Sequence, residues 1–277
     1  MKKLAYIFRL AILISGCTER IEIDLGTTYD RLVVEGHVST DTAMHWIRLT
    51  KSTDYYSGKP APAISAATVN LYDGYVDVQL NEYDSMPGYY FTPADYFGVV
   101  GRMYEMTVNL AEPVNGQSVF YASSELRPVG SVDSIRVEYN EDWEGWEVKI
   151  FAWEPPTTDF YKFLIYKNDT LMSDTINKVW ISDDRYFNGN YTFGATIGFL
   201  DEDTPREVVH PGDVITMKMS GITKDYYNFI LQLQDQTFQY RNPLFSGPPA
   251  NIITNISEGG CGFFSAYSNT SVSTTYK

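Results

Sequence analysis

Alternation of apolar and polar residues with a period of two, broken at short intervals by turn formers, constrains this chain more than any other feature. Tyr104, Met106, Val108 and Leu110 alternate with Glu105, Thr107 and Asn109, and Val76, Val78 and Leu80 with Asp77, Gln79 and Asn81. Successive side chains on a strand point to opposite faces, so each run makes a half-buried strand with one wet face. Tyr72-Asp73-Gly74, Met86-Pro87-Gly88 and Val100-Gly101 supply turns between such runs. The pattern starts at Arg31-Leu32-Val33-Val34-Glu35-Gly36 and resumes, after Pro128-Val129-Gly130, at Val132-Asp133-Ser134-Ile135-Arg136-Val137. It continues through Trp146, Val148 and Ile150, through Tyr161 to Tyr166, and through Val214 to Met219 after the turn Pro211-Gly212-Asp213. Between Thr170 and Pro205 the periodicity weakens, and strands joined by long loops are expected there.

The chain therefore reads as mainly β, with two β-sandwich-like domains cut near residue 130, over 30–129 and 130–277. One segment breaks the rule. Thr223 is placed to cap a helix from Lys224 to about Tyr240, with Asp225 in its first turn and Ile222 set to staple onto Tyr227. Tyr226, Phe229, Ile230 and Leu233 follow helical spacing, and Asn242-Pro243 ends the run. This helix, near 224–240, belongs to the C-terminal domain and packs on its sheet.

The start of the chain bears on its address. Lys2, Lys3 and Arg9 precede the apolar run Leu10 to Ile14, and the small residues Ser15 and Gly16 stand directly before Cys17. Charged, hydrophobic and small-residue zones in that order make residues 1–16 a signal peptide, too short to cross a bilayer as a mature anchor. Ile14-Ser15-Gly16-Cys17 resembles the bacterial lipobox, so Cys17 is expected to be lipidated and residues 17–29 to form a tether. Each buried methylene of its acyl chains contributes about 0.8 kcal/mol, enough in sum for near-permanent anchoring. Thr18 is not the aspartate of an inner-membrane retention signal, so the expected location is the outer membrane, lipid-anchored at the cell surface.

Charge agrees with that address. The chain carries a net charge of −14, and three of its cations lie in the leader. A surface this acidic excludes nucleic acid as a partner and excludes electrostatic adhesion to anionic lipid. Once Cys17 is modified, Cys261 is the single thiol left, so no internal disulfide forms; within Gly260-Cys261-Gly262 it reads as a small packing residue.

Chemistry-bearing motifs are scarce. The sequence has no Gly-x-Ser-x-Gly, no His-Glu-x-x-His, no phosphate-cradling glycine loop and no Cys-x-x-Cys. No cofactor, no metal and no catalytic residue is assigned, and the chain does not read as an enzyme. His37 and His45 are close enough to face each other across a hairpin, but strand histidines usually sit in local hydrogen bonds. Glu141-Asp142, Asp183-Asp184 and Asp201-Glu202-Asp203 offer hard oxygens without calcium-loop spacing and read as solvated loop charge. Exposed aromatics are the better clue. Tyr55-Tyr56, Tyr89-Tyr90, Trp143 with Trp146, and Tyr186-Phe187 lie at or beside expected loops, where rings stack on sugars or dock a partner. The first six are the candidate ligand-binding residues. Asp41-Thr42-Ala43, Asp84-Ser85-Met86, Asp133-Ser134-Ile135, Asp169-Thr170-Leu171 and Asp174-Thr175-Ile176 each resemble the Asp-Ser/Thr-apolar acceptor of Bacteroidota O-glycosylation, which points to Thr42, Ser85, Ser134, Thr170 and Thr175.

The N-terminal order of strands resembles a prealbumin-like or immunoglobulin-like module, and the C-terminal domain a fibronectin-like one. Over nearly the whole mature chain, the order of short motifs is similar to the DUF4249 family of Bacteroidota lipoproteins. These motifs are the lipobox leader, Val34-Glu35-Gly36, Pro128-Val129 followed by Asp133-Ser134-Ile135, Tyr161-Lys162-Phe163, and Asn255 to Gly260 through Phe264 to Ser268. Gly260-Cys261-Gly262 departs from the aliphatic residue the family places between those glycines. The resemblance implies a setting beside a TonB-dependent outer-membrane transporter, in nutrient or metal-complex uptake, and brings no catalytic residues. A binding or accessory role is the first expectation. A surface hydrolase acting on glycans or peptides, and a purely structural envelope protein, are the alternatives; a compact cleft with two facing carboxylates favours the hydrolase, an open aromatic face favours binding.

Overall fold

The computed structural model describes residues 30–53, 59–237 and 251–277. The leader, Cys17, Tyr55, Tyr56 and the last turn of the expected helix lie outside the described residues. The protein is mainly β, of the β-sandwich type, with one α-helix among the described residues. No described helix is long and apolar enough to cross a membrane.

Seven strands form the first part: β1 (Leu32–Ser39), β2 (Trp46–Lys51), β3 (Thr68–Tyr72), β4 (Asp77–Glu82), β5 (Tyr89–Phe91), β6 (Met103–Val114) and β7 (Gln117–Glu125). The second part holds β8 (Ser134–Asn140), β9 (Gly145–Phe151), β10 (Phe160–Lys167), β11 (Thr170–Leu171), β12 (Trp180–Asp183), β13 (Ala195–Asp201), β14 (Val214–Ile222), helix α1 (Lys224–Thr237) and the long β15 (Cys261–Thr275). β13, β9 and β8 make a three-stranded sheet. All other strands belong to one sheet of twelve, ordered β11-β10-β14-β15-β1-β2-β5-β4-β3-β6-β7, with β12 beside β10.

The alternation read from the sequence is the alternation of burial. Tyr104, Met106, Val108 and Leu110 on β6 point into the first core, and their polar neighbours face out. Leu32, Val34 and Val38 of β1, Leu71 of β3, Phe120 of β7 and Phe264 of β15 meet them, so the sheet curls around this core. Burying each such large side chain contributes about 1.5–3 kcal/mol. Ser257 N donates to the Tyr121 carbonyl (2.9 Å) and Asn255 Nδ2 to the Ser123 carbonyl (2.9 Å), which covers the free edge of β7. The turns fall where expected: Gly74, Gly88, Gly101 and Gly212 all hold positive φ, which glycine adopts without strain.

In the second part, Val137, Val148 and Leu200 of the small sheet pack against Phe163, Ile165, Met217 and Met219 of the large one. β15 serves both parts. It pairs in parallel with β1 (Val33 opposite Cys261 to Ser39 opposite Tyr267), and antiparallel with β14 (Gly221 opposite Ser268 to Val214 opposite Thr275). Phe264 and Ala266 therefore enter the first core, while Val272 packs against the second. Helix α1 starts as its sequence dictates, with Tyr226 N donating to Thr223 Oγ1 (3.3 Å). Its Ile230 joins Ile222 and Tyr267 in a third, smaller cluster on the outer face of the large sheet.

Candidate functional site

Where the two sheets of the second part separate at one end, a cavity of about 90 Å³ opens. Ile150, Phe163, Ile197 and Met219 line it from the core, and Glu154, Tyr161, Asp184 and Thr192 give it polar atoms. A water needs roughly 10–15 Å³ and a drug-sized ligand roughly 300 Å³ or more, so the space suits a small group rather than a long chain.

Local sequence builds this end. Glu154 leaves β9 just before Pro155-Pro156, which cannot continue a ladder. Thr192 holds the facing loop close: its hydroxyl donates to the Ile150 carbonyl (2.8 Å) and accepts from Ala152 N (3.0 Å). The turn after β12 is tied by Asp184, whose Oδ2 accepts from Asp159 N (3.0 Å) and Asn188 Nδ2 (2.8 Å). Asp159 in turn accepts from Thr157 Oγ1 (2.5 Å) and lies 3.5 Å from Arg127.

Glu154, Asp159 and Asp184 each place a carboxyl oxygen within 4.8 Å of the others. Burial, assisted by the charges of Asp159 and Asp184, pushes Glu154 up to about 7 even though the Tyr161 hydroxyl donates to it. The same burial, with the Glu154 carboxylate beside it, raises the Tyr161 phenol. Near neutral pH, Glu154 thus exchanges a proton readily, and the three carboxyls together offer hard oxygens of the kind a cation takes. Two of them already serve as loop anchors.

Three rings form a row along the paired segments of Trp153 and Tyr191. Trp153 bridges to Tyr191, with centroids 5.4 Å apart, and Tyr191 lies 5.1 Å from Phe193. Trp153 also lines the cavity.

The residues singled out from the sequence do not assemble into this site. Tyr90 is a core residue: it is 1% exposed, and its hydroxyl donates to the Ile64 carbonyl (2.9 Å) and accepts from Ala67 N (3.0 Å). Trp146 is likewise packed in the second core, edge-on to Tyr139. Neither ring is presented to a ligand, because both point to the buried face of their strands. Tyr89 points the other way and sits between Trp46 and Phe91 with the Arg48 guanidinium 5.4 Å above it, on the outer sheet face. Trp143 is exposed and rests edge-on against Phe199, away from the cavity. Of the paired aromatics, Phe187 does line the cavity, and of the acidic clusters, Asp183 and Asp184 do.

His37 and His45 do meet, with ring centroids 6.1 Å apart. His37 is stacked on Tyr267, and burial, then the nearby Lys162, pushes it down to about 3. His45 Nε2 lies 3.1 Å from the Asp41 carbonyl. These are local packing roles. Thr42, Ser85, Ser134, Thr170 and Thr175 are all exposed. The residues that sequence reasoning missed are Trp153, Glu154 and Asp159; the available signal was an aromatic-acid pair before two prolines.

No curated protein matches the chain. The family model described as a domain of unknown function, DUF4249, matches residues 18–273. With a match covering most of its length, the chain belongs to the DUF4249 family.

Proposed function

We propose that this is a ligand-binding, accessory lipoprotein of the outer membrane, anchored through acyl chains on Cys17 and working with a TonB-dependent transporter in nutrient uptake. The observation that carries the binding role is the cavity at the open end of the second sandwich, lined by the Glu154 and Asp184 carboxyls and by Trp153. The lipobox-like leader supports the anchor, and the acidic chain supports a partner that is neither nucleic acid nor bare anionic lipid. Surface exposure of the five Asp-Ser/Thr-apolar hydroxyls is compatible with O-glycosylation during export; an intact mass without added hexose overturns that part. The test of the main reading is a pull-down of the tagged, lipidated protein from detergent-solubilised outer membrane of its own host, with a Cys17→Ala control. A stoichiometric TonB-dependent transporter is the expected catch. Recovery of the lipoprotein alone from well-solubilised membrane overturns the accessory role.

One observation favours a second reading, a surface hydrolase. Glu154, raised to about 7 chiefly by burial and lining one cavity with the Asp184 carboxyl, makes with it the kind of pair acid-base hydrolysis uses. Release of product from a glycan or peptide panel, abolished in Glu154→Gln, is what this reading requires.

A further inference from the structure

Away from the cavity, one polar cluster ties the loop after β1 to β15 and β14. β14 sets Ser220 opposite Asn269 and Lys218 opposite Ser271, so Lys218 stands diagonal to Asn269 on the same sheet face. Asp41 reaches over from the loop, and its Oδ2 accepts from both Lys218 Nζ (2.5 Å) and Asn269 Nδ2 (2.8 Å). The two nitrogens are therefore no more than about 5.3 Å apart. Asn269 is held at its other polar atoms as well. Its Oδ1 accepts from Ser220 Oγ (2.7 Å), and its backbone N donates to Thr40 Oγ1 (3.0 Å). An ionised carboxylate only accepts, so the amide turns its NH2 group to Asp41 and its oxygen to the hydroxyl.

These are the parts of an acyl transfer within the chain: an amine, an amide carbonyl, a carboxylate bonded to both, and a hydroxyl on the carbonyl oxygen. Burial raises Asp41, but the hydrogen bond and charge of Lys218 outweigh it and hold the carboxyl below its ordinary range, so it is ionised and able to take a proton. Two paired strands hold amine and carbonyl together, which spares the reaction the entropy of an encounter. Charge favours the same outcome. Lys218 lies near Lys162, whose buried ammonium it disfavours. Turning Lys218 into an amide removes one of two neighbouring positive charges and leaves Lys162 and Asp41.

We infer that the side chains of Lys218 and Asn269 become joined by an amide bond, with Asp41 carrying the protons and Ser220 donating to the carbonyl oxygen. Nζ attacks Cγ of Asn269, two protons pass from Nζ through Asp41 to Nδ2, and Nδ2 leaves as ammonium. Asp41 is returned as a carboxylate, and no oxidant or cofactor is consumed. The bond staples β14 to β15 and closes residues 218–269 into a covalent loop, which restricts the unfolded chain.

The test is a tryptic peptide map, read by mass spectrometry, of the full chain purified in detergent. One branched peptide carrying Lys218 and Asn269 is expected, lighter by one ammonia than its two linear parts together. Lys218→Met and Asp41→Asn are each expected to give linear peptides only. Asp41→Asn keeps both reacting side chains, and its cooperative melting shows an intact fold without the bond. Linear Lys218 and Asn269 peptides from the folded parent overturn the inference. Loss of ammonia within the Asn269 peptide alone, as a succinimide, overturns it too, because Lys218 then takes no part. A branched peptide that persists in Asp41→Asn overturns the role of Asp41 as proton carrier.

Discussion

A half-buried glutamate and a buried lysine set pH dependences of opposite sign. Glu154 has an ordinary value of 4.5 and is raised to about 7 in the folded protein, chiefly by burial. Between those values the folded chain holds the extra proton, so this group's contribution to stability falls as pH rises from 4.5 to 7 and is fully lost above. Glu154→Gln is therefore expected to melt higher than the parent at pH 8, with the difference closing at pH 5; scanning fluorimetry at both pH values checks it. Lys162 runs the other way. Its side chain is buried with Nζ 3.9 Å from the Tyr267 ring centroid, and burial, then the nearby Lys218, pushes it down from 10.5 to about 7. Below 7 both states carry the charge and the full penalty of burying it applies; from 7 to 10.5 the unfolded chain holds the extra proton, so stability recovers as pH rises. Lys162→Met is expected to raise Tm at pH 7 by at least about 2 °C, the equivalent of roughly 1 kcal/mol in a chain this size, and by less at pH 9.5. A parent that melts higher at pH 7 shows that the Tyr267 ring stabilises the ammonium more than burial costs it.

At the scale of elements, the parallel contact of β1 with β15 depends on one glycine. Gly262 holds φ at 86°, and a Cβ there falls 1.9 Å from the Val34 carbonyl oxygen. Gly101 has nearly the same φ, 83°, with nothing within 4 Å of its Cβ position. Gly101→Ala is expected to lose about 1 kcal/mol in urea unfolding, the cost of backbone strain alone. Gly262→Ala is expected to lose at least about 2 kcal/mol more, because β1 or β15 must move; equal losses remove the close approach as a determinant. The strands themselves were legible. Alternation places Tyr104, Met106 and Val108 inward, and Thr223 announces the helix, because both signals are local. The candidate site was not. It gathers Trp153 and Glu154, Asp159 and Tyr161, Asp184, and Thr192 from four separate segments, and only the pairing of β10 with β12 and β9 with β13 brings them together. Tyr90 and Trp146 misled for a related reason: a ring beside a turn still points inward or outward by strand parity, which loop proximity does not encode.

At the scale of the molecule, the last strand decides how independent the two parts are. Cutting the sequence near residue 130 separates β7 from β8, yet β15 returns to complete the sheet of both. One half of it places Phe264 and Ala266 in the first core, the other places Val272 against the second, and Tyr267 between them sits under α1. Hydrogen bonding to β1 on one side and β14 on the other makes loss of either part costly to its neighbour. The described protein is thus expected to unfold as one unit, with a single calorimetric transition whose enthalpy equals the van't Hoff value. A fragment spanning 30–129 lacks β15 and is expected to stay unfolded, with no dispersed amide spectrum; a folded fragment, or two resolved transitions, shows two autonomous cores.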